Sequence, residues 1–305
     1  ALGISFFTAL LFAIHPVQVE TVCWISASKI VLSTFFYLSA LICYIQYMRN
    51  SKWQYLLASV VSSILAMGCK EQSVIIVPCL LLFDWMLFKR NMRSLKVYIE
   101  KVYYLIPAIA IFIVTLVANK NTGEEIIGYT IVDRFIFLCY SSFKYLLISA
   151  IPFKLSYLYP FPFQVGEKIP MALWIYPFVI LFIGYVIYLN RRKPLLVFCT
   201  LFFILHLLPV LHVIPLPRYV VAADRYLYIP YIAFAIGLSI LSYHLYERQR
   251  KWILYAGFLY CSYLCVYTAG YAPAWKNSDT LKEHFKEVLK KRETNLSINF
   301  KHEKQ

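Results

Sequence analysis

The chain has 305 residues, of which 61% are hydrophobic and only 15% are charged. Soluble domains are about half apolar and about a quarter charged, so this composition excludes an ordinary soluble globular protein. The formal net charge of +15 indicates Lys/Arg-rich loops beside anionic lipid. It does not indicate nucleic-acid binding, because the sequence has no basic soluble patch with exposed aromatic residues.

Hydrophobic runs long enough to cross a bilayer core, which takes about 20 apolar residues, recur along the chain. We therefore predict an all-α polytopic membrane protein with a multi-span membrane domain over residues 1–271. The chain opens inside the first run, which predicts an N-terminally truncated fragment. About nine transmembrane helices are expected, near residues 1–14, 31–48, 54–69, 73–88, 102–118, 170–189, 194–212, 228–245 and 252–270.

The positions of Lys and Arg set the expected orientation, because cytoplasmic loops carry an excess of both. Four loops should therefore be cytoplasmic: those around 49–52, 89–101, 191–193 and 248–251. With nine crossings, the opposite face then receives the stretches 15–24, 70–72, 119–168 and 215–228 and the tail after residue 271.

Residues 131–151 are predicted not to cross. They carry Asp133, Arg134 and Lys144 inside an apolar pattern, and each such charge costs roughly 2.5–3.5 kcal/mol at a bilayer centre. An interfacial or re-entrant helix avoids that cost. The aromatic run that follows, Tyr157 to Phe163, is interrupted by prolines and should be an extended or turn segment at the membrane surface.

The composition changes after Tyr271, and residues 272–305 are predicted to form a soluble helical tail. Ser278-Asp279 could cap a helix there. The apolar face of that helix would consist of residues at helical spacing, namely Leu281, Phe285, Val288 and Leu289.

Three polar stretches, together with the segment Ser156-Tyr157-Leu158-Tyr159-Pro160 of the aromatic run, are candidates for a site on the non-cytoplasmic face. The first holds His15, Glu20 and Trp24 at a hinge after the opening apolar run. Glu20 could accept hydrogen bonds from sugar hydroxyls or bind a cation, although an ordinary interfacial loop would contain the same residue types. In the tight turn Lys70-Glu71-Gln72, Lys70 could hold a phosphate as a point charge.

The third stretch, Asp224-Arg225 at the mouth of the span 228–245, is the sharpest of these signals. An Arg at this position can hold a phosphate bidentately, and Asp224 could keep that Arg in place or bind a cation. Snorkelling with a local salt bridge is the alternative. Elsewhere, Asp84 is expected to pair structurally with Lys89 or Arg90, and His206 to be a packed, hydrogen-bonded residue.

Patterns for other chemistry are missing from the sequence. The eight cysteines show no CxxC or Cys/His ligand spacing, so neither a metal site nor a disulfide framework is predicted. No GxGxxG, P-loop, GxSxG or HExxH pattern occurs. A site that faces away from the cytoplasm has no nucleotide sugar available, which favours a lipid-carried donor.

Four ordered motifs resemble the transmembrane-and-tetratricopeptide-repeat family, and together they cover nearly the whole chain. The stretch from Leu11 to Ser26 resembles that family's FAxHPxxxExVAWI signature. The other three are Cys69-Lys70-Glu71-Gln72 followed by Pro78 and Asp84-Trp85, Ala223-Asp224-Arg225-Tyr226-Leu227-Tyr228-Ile229-Pro230, and the junction Trp275 to Leu281 into the repeats.

This resemblance implies a C-type (GT-C-like) integral-membrane glycosyltransferase, similar to protein O-mannosyltransferases. Such an enzyme moves a sugar, commonly mannose, from a polyprenyl-phosphate carrier to a hydroxyl, here expected on a protein acceptor at the non-cytoplasmic face. The general base of this fold class usually lies in the first external loop, which is expected upstream of Ala1. The acid that relatives carry after Trp-Ile-Ser is replaced by Ile30.

The predicted roles follow from an inverting transfer, in which a carboxylate deprotonates the acceptor and cations hold the leaving phosphate. Arg225 and then Lys70 are expected on the phosphate, and a divalent cation is left open. The remaining predicted residues are the carboxylates Glu20, Glu71 and Asp224 and the substrate-binding residues His15, Tyr226, Trp24 and Tyr159.

A non-enzymatic alternative stays open. The chain could be a membrane anchor that presents a tetratricopeptide-repeat scaffold to extracytoplasmic partners, and Ile30 in place of an acid fits that interpretation. The expected compartment is a bacterial inner membrane, with the endoplasmic reticulum membrane as the alternative.

Overall fold

The computed structural model describes residues 2–121, 128–156, 159–212, 220–248, 250–284 and 286. These residues form an all-α protein without a named strand, and one isolated antiparallel bridge joins Tyr159 to Ala222. The helices are α1 (Leu2–Ile14), α2 (Val19–Cys23), α3 (Ser28–Asn50), α4 (Trp53–Cys69), α5 (Ile76–Met86), α6 (Leu95–Asn121), α7 (Ile131–Ala150), α8 (Ile175–Leu189), α9 (Pro194–Leu207), α10 (Pro230–Arg248) and α11 (Arg250–Tyr271).

Four helical segments are long and apolar enough to cross a membrane, as in a multi-pass membrane protein: Ile25–Asn50, Leu95–Ala118, Met171–Leu189 and Lys251–Trp275. A fifth is added if Leu2–Ile14 and Pro16–Cys23, bent by 55° at His15, count as one broken span. The other predicted crossings also coincide with helices, but these are shorter or less apolar, as for Trp53–Cys69 and Pro194–Leu207.

The outer helices carry large apolar side chains on their exposed faces. On α8 and α11, for example, Phe178, Phe182 and Phe258 are about 70% exposed. In water such a surface would drive aggregation, whereas in lipid it is the expected solvent-facing surface of a span. The interior is aromatic, and its fully buried side chains include Tyr37 and Tyr44 of α3.

A charged cluster (Asp84, Arg90, Glu100 and Lys101) joins α5, the loop after it and α6. Lys101 Nζ lies 2.6 Å from Asp84 Oδ2, Arg90 Nη1 lies 2.5 Å from Glu100 Oε2, and the Tyr44 hydroxyl of α3 donates to Asp84 Oδ1 at 2.6 Å. The predicted pairing of Asp84 with Arg90 is confirmed at 3.4 Å. The two carboxylates and two cations balance, so each buried charge has a partner.

Two of the three charged residues of helix α7, Asp133 and Lys144, make contacts within the structure. Asp133 forms a capping box with Thr130, accepting from its backbone N–H and its hydroxyl, both at 2.8 Å. Lys144 Nζ sits 3.7 Å from the centroid of the Tyr159 ring. Because α7 carries three charged residues, it is not counted among the four candidate spans, and its placement outside the bilayer core stays a prediction.

The segment after α7 is irregular and is held by three tyrosines of α11, the tyrosine ladder (Tyr260, Tyr263 and Tyr267). Tyr260 donates its hydroxyl hydrogen to the Ala150 carbonyl at 2.8 Å, Tyr263 donates to the Pro152 carbonyl, and the Leu155 N–H donates to the Tyr267 hydroxyl at 3.0 Å. Non-helical backbone beside a membrane span needs such partners, because lipid offers none.

The described residues that continue from there are non-helical, as predicted, but Tyr159 and Phe163 are buried in the interior and do not lie at a membrane surface. Phe161 and Phe163 pack against the rings of Tyr129 and Phe137, with centroids 4.9–6.1 Å apart. This packing brings the chain back along α7 and places Tyr159 beside Lys144. Tyr157, which belongs to the same predicted aromatic run, lies outside the described residues.

The tail begins as a helix, as predicted, but its capping residue differs from the predicted one. Asn277, rather than Ser278-Asp279, caps it: the Asn277 Oδ1 accepts from the backbone N–H groups of Asp279 and Thr280 at 3.1 and 2.8 Å. Residues 278–284 are helical, and Leu281 packs against the core. The predicted face residues Phe285, Val288 and Leu289 lie outside the described side chains, as does nearly all of the remaining tail to 305.

Candidate functional site

An ion pair between Glu20 of α2 and Arg225 is the centre of the candidate site. The Glu20 carboxylate is fully buried, and it accepts from Arg225 Nη1 at 2.5 Å and from the Arg225 backbone N–H at 2.8 Å. The two residues are 205 positions apart in sequence. Both Glu20 oxygens are therefore committed to one arginine, whose side chain remains 19% exposed.

Local structure explains why Glu20 lies there. Pro16 follows His15 and starts a short 3₁₀ turn, Pro16–Gln18, so the chain bends after α1. The His15 Nδ1 accepts from the Val17 N–H at 3.3 Å, and its ring packs on Tyr231 at 4.3 Å. His15 was predicted to bind substrate. In the structure it is fully buried and caps the turn Pro16–Gln18, which leads into α2 and Glu20.

Asp224 does not hold Arg225, contrary to one predicted role. Both residues belong to the 3₁₀ turn Asp224–Leu227, yet the Asp224 Oδ1 accepts from the Tyr159 hydroxyl at 2.8 Å, whereas Arg225 binds Glu20. Successive residues of a tight turn point in different directions, so adjacency in sequence did not predict pairing. The predicted site residue Tyr159 is thus brought next to Asp224.

Aromatic rings surround the cations. The Arg225 guanidinium lies 5.5 Å from the Trp24 ring and 5.1 Å from the Tyr226 ring, and Lys70 Nζ lies 5.7 Å from the same Tyr226 ring. Lys70 forms no ion pair within the described part of the chain. Four predicted site residues from three separate motifs therefore meet here: Trp24, Lys70, Arg225 and Tyr226.

A small cavity of about 40 Å³ opens beside these cations. Its lining includes Lys70, Arg225 and Tyr226 of the predicted site, and Ile30, the position at which the resemblance implies an acid. About 10–15 Å³ of such volume is needed per water molecule, so the cavity has room for a few waters but not for a sugar.

Several lining residues were not singled out from the sequence. They are Gln72 of the Lys70 motif, the hydrogen-bonded pair Ser33 and Ser73 (2.6 Å between hydroxyl oxygens), and Thr34. Hydroxyl residues in apolar helices usually bond their own backbone, as Thr34 does to Ile30, so their presence was no signal. Gln72 could have been found, because it sits beside Lys70.

Glu71 is a predicted carboxylate that does not line the cavity, although its charge acts on Lys70. Its side chain is exposed. The 3₁₀ turn Glu71–Ile75 buries Ser73. Glu71 is therefore close to Lys70 in sequence but does not contact the Glu20–Arg225 pair among the contacts described.

Burial changes the protonation of the site. It lowers the pKa of Lys70 to about 8, an effect that the Arg225 cation increases and the Glu71 carboxylate opposes. Burial also raises the pKa of the Asp224 carboxyl well above its usual range, and the negative charge of Glu20 adds to that shift. Burial raises the pKa of Tyr159, which keeps its hydroxyl protonated to donate to Asp224.

Buried polar atoms on the other side of the ion pair have no hydrogen-bond partner within the described residues. They include the Asp224 Oδ2 and both amide atoms of Gln18. The turn Pro16–Gln18 packs against both Asp224–Leu227 and α11. Unsatisfied buried polar groups cost about 1–3 kcal/mol each, so these atoms are suited to bind water or the hydroxyl groups of a ligand.

The described residues contain no group of three His, Cys, Asp or Glu side chains that could hold a metal ion. Comparison of the chain with protein-family models, with curated proteins and with solved structures finds no match.

Proposed function

We propose that this protein is a membrane glycosyltransferase that moves a sugar, mannose in the first instance, from a polyprenyl-phosphate donor to a hydroxyl acceptor on protein. The observation that carries the proposal is the meeting of Arg225 and Lys70 on one cavity, with the Glu20 carboxylate behind Arg225. Two cations flanked by aromatic rings are suited to a phosphate attached to a sugar.

In this proposal the cations act on the leaving group. Arg225 and Lys70 hold the lipid phosphate and stabilise the charge that develops as the glycosidic bond breaks. Glu20 orients Arg225, and Trp24 and Tyr226 flank the cations. The Asp224 Oδ2 accepts from a sugar or acceptor hydroxyl, with Tyr159 fixing the other oxygen. An inverting transfer also needs a carboxylate as general base, which takes the proton of the acceptor hydroxyl.

The proposal includes a topology and a place in the cell. Nine crossings of a GT-C-like domain put the site on the non-cytoplasmic face, and the tail presents the start of a tetratricopeptide-like region to protein acceptors or partners. A bacterial inner membrane is the compartment we favour, with the endoplasmic reticulum membrane as the alternative. The Lys/Arg distribution and the helix positions support the topology.

The test is transfer of radiolabelled mannose from polyprenyl-phosphate mannose to total membrane protein, in membranes that contain the protein. We expect Arg225→Lys and Lys70→Met each to lower the transfer rate by about 100-fold, the usual cost of losing one group that stabilises developing charge. Lys52→Met is the matched control, because Lys52 is an exposed lysine between α3 and α4 that does not line the cavity. Unchanged transfer in both site variants would exclude this assignment.

The membrane-anchor alternative has one specific observation in its favour. Ile30 lines the cavity beside Arg225, so the position of the implied acid is apolar, and the remaining space is only about 40 Å³. Ile30→Asp distinguishes the two functions, since a carboxylate there would face the cations of an enzyme site. Transfer by the parent protein supports the enzyme. A well-inserted parent and Ile30→Asp variant that both fail with several lipid-linked donors support the anchor.

A further inference from the structure

A large apolar groove of about 700 Å³ runs between α9 and α10 and shares no lining residue with the cavity at Arg225. Its floor is buried and consists of Cys199, Phe203 and Ala233. Leu196 and Leu241 form exposed walls, at 39% and 54% exposure. The groove is therefore open along its length to whatever surrounds the bundle.

One end of the groove is cationic. Arg192 and Lys193 line it there, together with His244 of α10. The neighbouring Arg191 packs on Tyr188 at 4.0 Å, and Glu247, 4.0 Å from His244, is the carboxylate at this end. Two exposed permanent cations against one exposed carboxylate leave a net attraction for an anion.

The length of the groove matches one leaflet. From Lys193 to Phe203 along α9 the helix rises about 15 Å, which is half of a hydrocarbon core about 30 Å thick. The cationic end would then lie at the membrane surface, and the end at Phe203 and Ala233 near the bilayer middle. An acyl chain that enters from the surface fits this geometry.

We propose that this groove binds an anionic phospholipid, with one acyl chain between α9 and α10 and its phosphate on Arg192 and Lys193. The lipid comes from the leaflet that borders the loop 191–193, and the inference does not depend on the glycosyltransferase proposal. A second groove of about 330 Å³, between α5 and α9, has no charged lining residue. That second groove gives no reason to prefer an anionic lipid.

The experiment uses the protein in nanodiscs with equal amounts of phosphatidylglycerol and phosphatidylcholine, and native mass spectrometry counts the lipids it retains. We expect preferential retention of phosphatidylglycerol. The preference should fall about fivefold for each cation removed in Arg192→Gln and Lys193→Gln, since each is worth about 1 kcal/mol near a membrane surface. Arg192→Lys, which keeps the charge, should keep the preference.

A groove-filling variant tests the acyl chain separately. A Cβ at Gly237, which lines the groove, meets no protein atom within 4 Å, so Gly237→Phe fills the groove without a clash at that atom. It should lose the retained lipid altogether. Gly257→Phe on α11 is the matched control, because its Cβ is equally free and lies outside the groove. Equal retention of both lipids by the parent, or an unchanged preference in the Arg192→Gln/Lys193→Gln variant, overturns the proposal.

Discussion

At the residue scale, the Glu20–Arg225 pair has consequences for both structure and function. A carboxylate that is removed from water needs a cation and hydrogen bonds to offset its desolvation, and Arg225 supplies both through its guanidinium and its backbone N–H. The same contacts keep the arginine beside the cavity. Its position thus depends on a residue 205 positions away in the chain.

Glu20→Gln should destabilise the fold. Removing one partner of a buried ion pair costs about 3–5 kcal/mol, because the other charge is left uncompensated. Glu71→Gln is the control, since Glu71 is exposed and outside the cavity. Thermal unfolding in detergent, followed by Trp fluorescence, should show a clear drop in Tm for Glu20→Gln and no measurable change for the control. Equal Tm values in the two variants would contradict the pairing.

The pH dependence of phosphate binding should report Lys70. Its pKa is lowered to about 8, so in the free protein the ammonium is charged below that pH and becomes neutral above it. A bound phosphate stabilises the ammonium and raises its pKa. The Kd for polyprenyl phosphate should therefore rise above pH 8, by up to about tenfold per pH unit until the pKa of the bound state is reached.

Lys70→Met provides the control for that titration. With no ammonium at position 70, the rise in Kd between pH 7 and pH 9.5 should disappear, while the affinity at pH 7 is already reduced. Equilibrium binding of the lipid phosphate across this pH range checks both statements. An identical pH profile in the parent and the variant would show that Lys70 does not contact the phosphate.

The sequence predicted some residues of the site but not the ion-pair partner of Arg225 or the serines that line the cavity. Arg225, Lys70 and Trp24 were found because they are polar or aromatic residues at the ends of apolar runs. The partner of Arg225 was not found, since Asp224 is adjacent in sequence and Glu20 is distant, and sequence spacing says nothing about which way a turn directs each side chain. Ser33 and Ser73 line the cavity but read as ordinary polar residues within or next to helices.

At the scale of elements, the tyrosine ladder fixes the segment between α7 and Tyr159. Three hydroxyls at positions i, i+3 and i+7 of α11 lie along one helix face, and each bonds a different backbone group of residues 150–155. That segment leads to Tyr159, which contacts Asp224. A substitution in the tyrosine ladder of α11 should therefore alter the position of Tyr159 at the site.

Tyr260→Phe and Tyr267→Phe test this connection. Each removes one hydroxyl and leaves a backbone group of the segment unpaired, at a cost of about 1–3 kcal/mol. We expect faster protease cleavage between residues 150 and 156 and a smaller loss of global stability. Tyr255→Phe is the control, since Tyr255 is an exposed tyrosine of the same helix. Cleavage at the parent rate in both ladder variants would exclude the ladder as a support.

The charged cluster should contribute strongly to stability at its end of the bundle. Asp84→Ala leaves two largely buried cations, Arg90 and Lys101, to share the single Glu100 carboxylate, which lies 3.9 Å from Lys101 Nζ, and we expect a loss of about 3–5 kcal/mol. Lys96→Met, at an exposed lysine of α6, should be neutral. Unfolding in a denaturing detergent titration measures the stability of both variants. The double variant Asp84→Leu/Lys101→Met should recover part of the stability lost in Asp84→Ala, because no unpaired charge remains.

The charged cluster also shows which of its contacts the sequence could predict and which it could not. Arg90 was predicted as a partner of Asp84 because six residues separate them. Lys101 and Tyr44 lie on other helices, and no sequence pattern predicted that they would meet Asp84. Helix positions could be predicted because the bilayer sets the length of apolar runs. Contacts between helices could not, since lipid-facing and packed apolar residues look alike in sequence.

At the scale of the whole molecule, the number and direction of crossings decide whether the site faces away from the cytoplasm. If α7 does not cross, Glu167 lies on the face of the site and Asn190 on the cytoplasmic face; if α7 crosses, the two exchange sides. We expect Glu167→Cys, in a background in which the eight native cysteines are replaced by alanine, to react with a membrane-impermeant maleimide added from the non-cytoplasmic side.

Asn190→Cys in the same background should react only after the membrane is permeabilised. A third variant, Ser51→Cys, is expected to behave like Asn190→Cys, because both positions adjoin Lys/Arg-rich loops. Labelling of Asn190→Cys but not of Glu167→Cys in sealed membranes would reverse the proposed placement of α7 and put Arg191 to Lys193 on the outer side.

The cavity of about 40 Å³ beside Arg225 has a kinetic consequence for any phosphate-bearing ligand. We expect such a ligand to need more room than this state offers, and therefore to bind molecules in which α3, the Glu71–Ile75 turn and the Asp224–Leu227 turn have moved apart. Its apparent affinity then equals the intrinsic affinity reduced by the open fraction. The observed association rate should level off at the opening rate as ligand concentration rises, whereas a preformed site would give a linear increase.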